Sequence, residues 1–547
     1  MQPPKPDFFE INYLNKYKHM MAQIKEIVNR INTLKYYLLV FNIALVIFLI
    51  IANNVGFLPL KNIGDFLFVA GITFLLALYR PGWSFLFFIG TIALENINLA
   101  PEDIGLSIRP YQLLGLVTFL AVGIRHMGGR LNFKLPKFQW TEYILVLFVL
   151  GGFLGSLNAL NVELAVKHSI IITSFALLYF LVRIFIRNLE DIKKIVPFFL
   201  TSSFVVVIYS IWQNWQFMRG GNHFEVMPGR ANGTFSESDW LGIFLVFLLS
   251  VLYVVAYNFY CKMKLLKLGV KTFMFGYSCF VWFLIILTWV ALILTVARSA
   301  WLGTVLITFG MLLYLLLKRN AKLFFMFIAS ILLSVALVYL FNLTNFQLNN
   351  RIQSTASGEQ EITIACQSEI EIPSPIGDVV ELNAYDCKHI NLEDIEREML
   401  AGSIIKKIYR KDPNVSIRQE IYVKSFDEIK NNLVFGIGWG NISEILGKDE
   451  RGAGLNSSNI FLEIWLGSGI FGIISFLILI GYILGRGKLF FFKKIREGKF
   501  LRQDSGMDFF YLFVVLSSVA IIIPNLFNAG IMLGFLWVWM GISLIKN

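Results

Sequence analysis

Runs such as LKYYLLVFNIALVIFLIIA (34–52) and FFMFIASILLSVALVYLF (324–341) decide the fold class. Each is close to the ~20 apolar residues that a helix needs to cross a bilayer. Inside lipid every backbone polar group must be satisfied within the protein, so only helices and closed barrels can span. Runs of this length are helical. They recur along the whole chain: 56% of the 547 residues are hydrophobic and 15% are charged, where a soluble chain carries about 25% charged residues. Mean hydropathy is +0.66. The expectation is an all-α polytopic membrane protein.

About fourteen spans are expected, near 35–53, 62–79, 82–98, 109–124, 141–158, 166–186, 195–217, 239–260, 277–297, 299–317, 323–343, 458–484, 508–525 and 528–545. Lysine and arginine set the orientation, because short cytoplasmic loops collect them. One side holds the basic N-terminal tail, RHMGGRLNFKLPK (125–137), KRNAK (318–322) and RGKLFFFKKIREGKFLR (486–502). The opposite short loops hold only Lys61, Arg109, Lys167, Arg219, Arg230 and Arg298. Both termini are therefore expected in the cytoplasm. The net charge of +12 then serves topology and anionic headgroups, not nucleic acid. Residues 1–34 are too polar for a cleavable leader, and their helical spacing of Leu14, Met21, Ile24, Val28 and Ile31 suits an interfacial segment.

The domain reading follows: 1–34 as a cytoplasmic amphipathic segment, 35–343 as spans one to eleven, 344–457 as an extracytoplasmic domain, and 458–547 as spans twelve to fourteen. The outer domain is expected to be mostly helical, with a hairpin insertion near 360–388 and helical patterns in LEDIEREMLAGSIIKKIYR and VSIRQEIYVKSFDEIKNN. Cys366 and Cys387 flank that hairpin. In an oxidising space two such cysteines tend to pair, so a disulfide is expected, two free thiols being the alternative. No CxxC, HxH or HExxH pattern supports a metal site, and no GxxxxGK[ST] supports a nucleotide phosphate loop.

Arg298 interrupts a long apolar run in ILTVARSAWLG (293–303). A charge at the centre of a bilayer costs roughly 2.5–3.5 kcal/mol. Two helices joined at an outer hairpin remove most of that cost and turn Arg298 toward the headgroups. Two other outer stretches carry polar chemistry. GGNHFEVMPGRANGTFSESDWLG (220–242) holds His223, Glu225, Arg230 and Asp239, and 431–472 holds the glycines of FGIGWGN. Arginine stays charged and offers a planar fork of donors, which suits a diphosphate headgroup. The glycines suit a loop whose backbone approaches something closely.

RANGTFSESDWLGIFL, ARSAWLG, NNLVFGIGWGN and LNSSNIFLEIWLGSGIFGII occur in that order over roughly residues 225 to 475. The succession resembles the O-antigen ligase and polymerase superfamily of membrane glycosyltransferases. The resemblance implies a GT-C-like helical bundle in the bacterial inner membrane. It implies an enzyme that moves a glycan from an undecaprenyl-diphosphate donor to an acceptor hydroxyl at the outer face, with no metal or other cofactor. Arg298 matches the family's hairpin arginine, Arg230 the arginine of the earlier loop, and Arg418 an arginine before the glycine stretch; Arg351 is a further candidate. Trp301, Asn459 and Glu463 fall within the matching motifs, as expected substrate-binding positions.

One departure stands out. Where the family places a histidine before Asn459, this chain has Ser458. Serine cannot act as a base at neutral pH. The acceptor hydroxyl then needs only positioning, or His223, Glu225, Asp239 or Glu463 serves instead, or the member differs in acceptor or activity. Ligase, polymerase and protein O-glycosyltransferase share the donor chemistry and stay open. A lipid-linked glycan transporter is the competing class; it should show broken helices near mid-membrane.

Overall fold

The computed structural model describes residues 34–221, 229–264, 268–344, 359–377, 379–390, 395–411, 413–447, 454–502 and 504–545. The expected interfacial segment 1–34 therefore lies almost wholly outside them. Each of the fourteen expected spans contains one helix. Ten are long and apolar enough to cross a membrane: α1 (Leu34–Asn54), α5 (Trp140–Gly155), α6 (Val162–Phe185), α7 (Leu189–Phe217), α8 (Ser238–Met263), α9 (Leu268–Thr295), α10 (Arg298–Leu317), α11 (Ala321–Leu340), α15 (Ile460–Arg496) and α16 (Gly506–Asn525). The chain is an all-α polytopic membrane protein. The remaining four are α2 (Ile63–Tyr79), α3 (Pro81–Gly90), α4 (Pro110–Met127) and α17 (Gly534–Ser543).

The chain divides into two compact units, residues 1–130 with 190–205, and 131–189 with 206–547. In the first unit α2, α3 and α4 pack together. Here the expected span 82–98 is corrected. The helix α3 stops at Gly90, whose missing Cβ makes room for the Asn42 side chain. The next residues are apolar and buried but not helical. Turn bonds to backbone carbonyls hold Ile92 and Leu94, and Asn98 accepts from the amides of Ala100 (3.1 Å) and Ile108 (2.8 Å). Buried Glu95 pairs with Arg109 at 3.2 Å. Apolar periodicity cannot separate such a buried loop from a helix.

In the second unit α8 is the central helix. Every residue from Leu241 to Val254 is buried, as expected of a helix that is apolar all round. The helices α10 and α16 pack on it and on each other. Two glycines permit this: a Cβ at Gly242 would lie 2.7 Å from that of Ala300, and one at Gly303 would lie 2.9 Å from the Pro524 ring.

At one end of these helices sits a buried ionic network. Asp504, just before α16, accepts from Tyr257 of α8, from Tyr314 and Lys318 at the end of α10, and from Lys494 of α15. Lys494 also pairs with Asp508. The Asp504 and Lys318 side chains are only 2% and 5% exposed. Charges so buried persist only when paired and hydrogen-bonded.

Within 344–457 the structure places β1 (Glu359–Cys366), β2 (Cys387–His389), α12 (Ile395–Leu400), β3 (Ile404–Lys411), α13 (Pro413–Asn431) and α14 (Ile442–Leu446). The strands form one antiparallel sheet in the order β2-β1-β3. Cys366 and Cys387 face each other in register and are joined by a disulfide. Ile362, Ile364, Ile376, Leu382 and Ile408 make a small core around it. The helix expected across 404–411 is corrected to β3. Gly402, at φ +85°, ends the preceding helix, and Ile404, Ile405 and Ile408 are β-branched residues that favour a pleated surface.

Candidate functional site

The RANG stretch folds back over the end of α9. Three carbonyls of the last turns of α9 are taken from outside the helix. Leu292 accepts from the Trp301 indole (3.0 Å), Leu294 from the amide of Ala231 (3.2 Å) and Thr295 from Arg230 Nε (3.0 Å). A helix C-terminus leaves such carbonyls without intrahelical partners and favours a cation. Arg230 fills that role and also holds Asp239, at the start of α8, at 3.2 Å. Trp301 is likewise spent on bracing the hairpin.

Only Val296 and Ala297 separate α9 from α10. Val296 lies at φ +52°, a conformation that a β-branched residue rarely adopts. That tight, strained turn makes half-buried Arg298 the first residue of α10. The apolar run is thus two helices, and Arg298 stands at their junction.

The start of α15 is built in a similar way. Asn459 caps it, accepting from the amides of Phe461 (2.9 Å) and Leu462 (3.4 Å). Half-buried Glu463 reaches back to the amide of Ser457 at 2.9 Å. Both residues are occupied in forming the corner. Ser458 lies at φ +50°; its amide donates to Asn456 (2.9 Å) and its carbonyl accepts from the Tyr422 hydroxyl (3.4 Å). Non-glycine residues held in this region store strain that concentrates at functional sites.

The turn between the expected spans 508–525 and 528–545 ties these elements together, a role that sequence reasoning missed. Residues 526–528 follow α16 and take one bond from each of three elements. The Leu526 carbonyl accepts from Asn459 of the α15 corner (3.1 Å), and the Phe527 carbonyl accepts from Arg418 of α13 (3.4 Å). Asn528 donates to Ser299 Oγ in the first turn of α10 (3.0 Å). The Arg418 guanidinium also lies 5.9 Å from the centre of the Phe527 ring. The signal was present: Pro524, Asn525 and Asn528 interrupt an apolar span, and polar groups at such depth must find partners.

The FGIGWGN loop approaches the protein itself. The helix α15 breaks at Gly469 (φ +61°, ψ −160°). The break frees the Leu466 carbonyl and the Ile470 amide, which would otherwise be bonded to each other. The loop completes both, the Ile437 amide donating to Leu466 (2.7 Å) and the Val434 carbonyl accepting from Ile470 (3.1 Å). Trp439, fully buried, fills the space that Gly152 and Gly467 leave open.

His223, Glu225 and Arg351 lie outside the described residues. Among the described residues, no group of His, Cys, Asp and Glu is arranged to hold a metal ion. The structure brings Arg230, Asp239, Arg298 and Trp301 to one junction. It brings Arg418, Ser458, Asn459 and Glu463 to a second, and the 526–528 turn bridges the two. No curated protein and no solved structure matches the chain. Residues 282–477, from α9 through the first half of α15, match the family model described as O-antigen ligase, and they contain both strained corners. Residues 282–477 of this polytopic membrane protein thus carry an O-antigen ligase domain.

Proposed function

We propose that the protein transfers a glycan from an undecaprenyl-diphosphate donor to an acceptor hydroxyl at the outer face of the bacterial inner membrane. The family supports a glycosyltransferase-like activity in general. The observation that carries the finer reading is Arg298, fixed as the first residue of α10 by a strained two-residue turn. In the reaction the acceptor oxygen bonds to the anomeric carbon. The bond from that carbon to the phosphate oxygen breaks, and the electron pair leaves with the lipid diphosphate, which takes up the acceptor's proton. Negative charge grows on the leaving group. A preorganised guanidinium aimed at it is worth most where water is scarce. Arg298 supplies that charge, with Arg418 across the turn as its partner.

Arg230 supports Arg298 by capping α9, and Asp239 holds Arg230. Asp239 is also the described carboxylate best placed to influence the acceptor, because Glu463 is engaged by Ser457. The acceptor is chiefly positioned, since the chain has Ser458 at the family's histidine. The distribution of lysine and arginine supports cytoplasmic termini, with 344–457 as the outer domain. Ligase, polymerase and protein glycosyltransferase differ only in the acceptor.

The test is reconstitution of the purified protein in liposomes with a labelled lipid-diphosphate glycan. The parent releases undecaprenyl diphosphate as it forms product, with chelator present. Arg298→Ala lowers transfer by roughly 10²-fold or more, the scale of losing one preorganised charge-stabilising donor, at normal protein yield. Parental rates in Arg298→Ala would overturn the residue's role. Movement of intact donor without release of lipid diphosphate would identify a transporter.

A further inference from the structure

Asn528 lies beyond the family-matched residues 282–477. Its amide nitrogen makes two bonds, to the Pro524 carbonyl (2.9 Å) and to Ser299 Oγ (3.0 Å). A carbonyl can only accept, so the group facing Pro524 must be the NH₂ end. That fixes the orientation of the carboxamide by chemistry. Its other end, Oδ1, takes no hydrogen bond among the described residues, and the residue is half-buried. The position is also fixed. Ser299 follows Arg298, while the neighbouring Leu526 and Phe527 carbonyls hold Asn459 and Arg418. A rigid, unoccupied acceptor thus stands between the helix start that carries Arg298 and the corner that carries Ser458.

We propose that Asn528 Oδ1 accepts the hydrogen bond of the incoming acceptor hydroxyl and orients its lone pair toward the anomeric carbon. The inference rests on the transfer reaction proposed above and supplies the positioning that Ser458, lacking an imidazole, cannot. Asn528 removes no proton. The oxygen–carbon bond forms, the carbon–oxygen bond to phosphate breaks, and the proton ends on the departing diphosphate. Orientation alone carries weight, since a displacement of about 1 Å in a reacting group can cost 10²-fold in rate.

The experiment uses the full-length protein in liposomes and varies acceptor and donor separately. Asn528→Ala should lower acceptor kcat/KM by at least ~30-fold, within the range that lost orientation can cost, and leave the donor KM within about twofold of the parent. Asn528→Gln keeps the amide but moves its oxygen by one methylene; it should show the same split, and it guards against a folding defect in the alanine variant. Ser299→Ala removes one of the two bonds that hold the carboxamide and should lower acceptor kcat/KM less than either Asn528 variant. Equal losses for donor and acceptor, or parental kinetics in both Asn528 variants, would overturn the inference. A parental protein that releases no lipid diphosphate would instead defeat the transfer reaction itself.

Discussion

Replacing Gly469 with alanine tests the junction between α15 and the FGIGWGN loop. The Cβ would fall 2.1 Å from the Val434 carbonyl oxygen and 2.6 Å from the Phe435 carbonyl carbon. Both are backbone atoms, which cannot rotate away as a side-chain tip would. The φ/ψ pair lies in a region essentially restricted to glycine, which costs about 1–3 kcal/mol for other residues. Moving the loop aside also breaks the bonds at Leu466 and Ile470, and each buried group left unsatisfied costs about 1–3 kcal/mol. The sum is ~4 kcal/mol or more, against a total stability of order 5–15 kcal/mol for a folded domain. Gly481 lies in the same helix, and a Cβ there meets nothing within 4 Å. Gly481→Ala should therefore be neutral or stabilising by up to about 1 kcal/mol, the ordinary helix preference for alanine. Both variants are melted in detergent by circular dichroism and tryptophan fluorescence. Gly469→Ala should melt well below the parent, with early exposure of buried Trp439, and Gly481→Ala at or above it. Parental melting of Gly469→Ala would refute the account of the helix break.

Two further perturbations separate parts of the molecule. Replacing Cys366 and Cys387 with serine opens a 21-residue separation; a closure of this size is worth ~3 kcal/mol, so protease should cut within 359–411 sooner, while the helices melt unchanged. Asp504→Asn leaves Lys318 and Lys494 buried without full compensation, a loss of about 3–5 kcal/mol, read as a lower melting temperature that the apolar double replacement Lys318→Met/Asp504→Leu partly restores.

Hydropathy identified the helices because burial in lipid demands it, and the positions of Arg298 and Cys366 followed from simple rules. The failures share one cause. Residues 91–100 are largely apolar and buried, but their chain is held by pairing with a later segment, Asn98 accepting from the Ile108 amide and the Leu99 amide donating to the Ile108 carbonyl. The strand β3 reads as a helix until its pairing with β1 is known. The roles of Arg230, Trp301, Asn459 and Glu463 in holding helix ends were hidden for the same reason: their partners are carbonyls and amides, which every residue carries. Asn528 needed three dimensions, since Ser299 lies 229 positions away.

The Asp504 network has a mechanical consequence. It joins α8, α10, α15 and α16 at one end, and α10 and α16, with 20 residues each, extend ~30 Å before reaching the other. There the 526–528 turn binds α10 and α15 again. Members pinned at both ends behave as struts. They hold the start of α10, which carries Arg298, and the corner that carries Ser458 to one frame. The helix α13 joins this frame through Ile421 and Ile429, which share a core with Leu462 and Leu466 of α15, and through the bonds of Arg418 and Tyr422. That helix is thereby seated on the same frame that fixes the two corners.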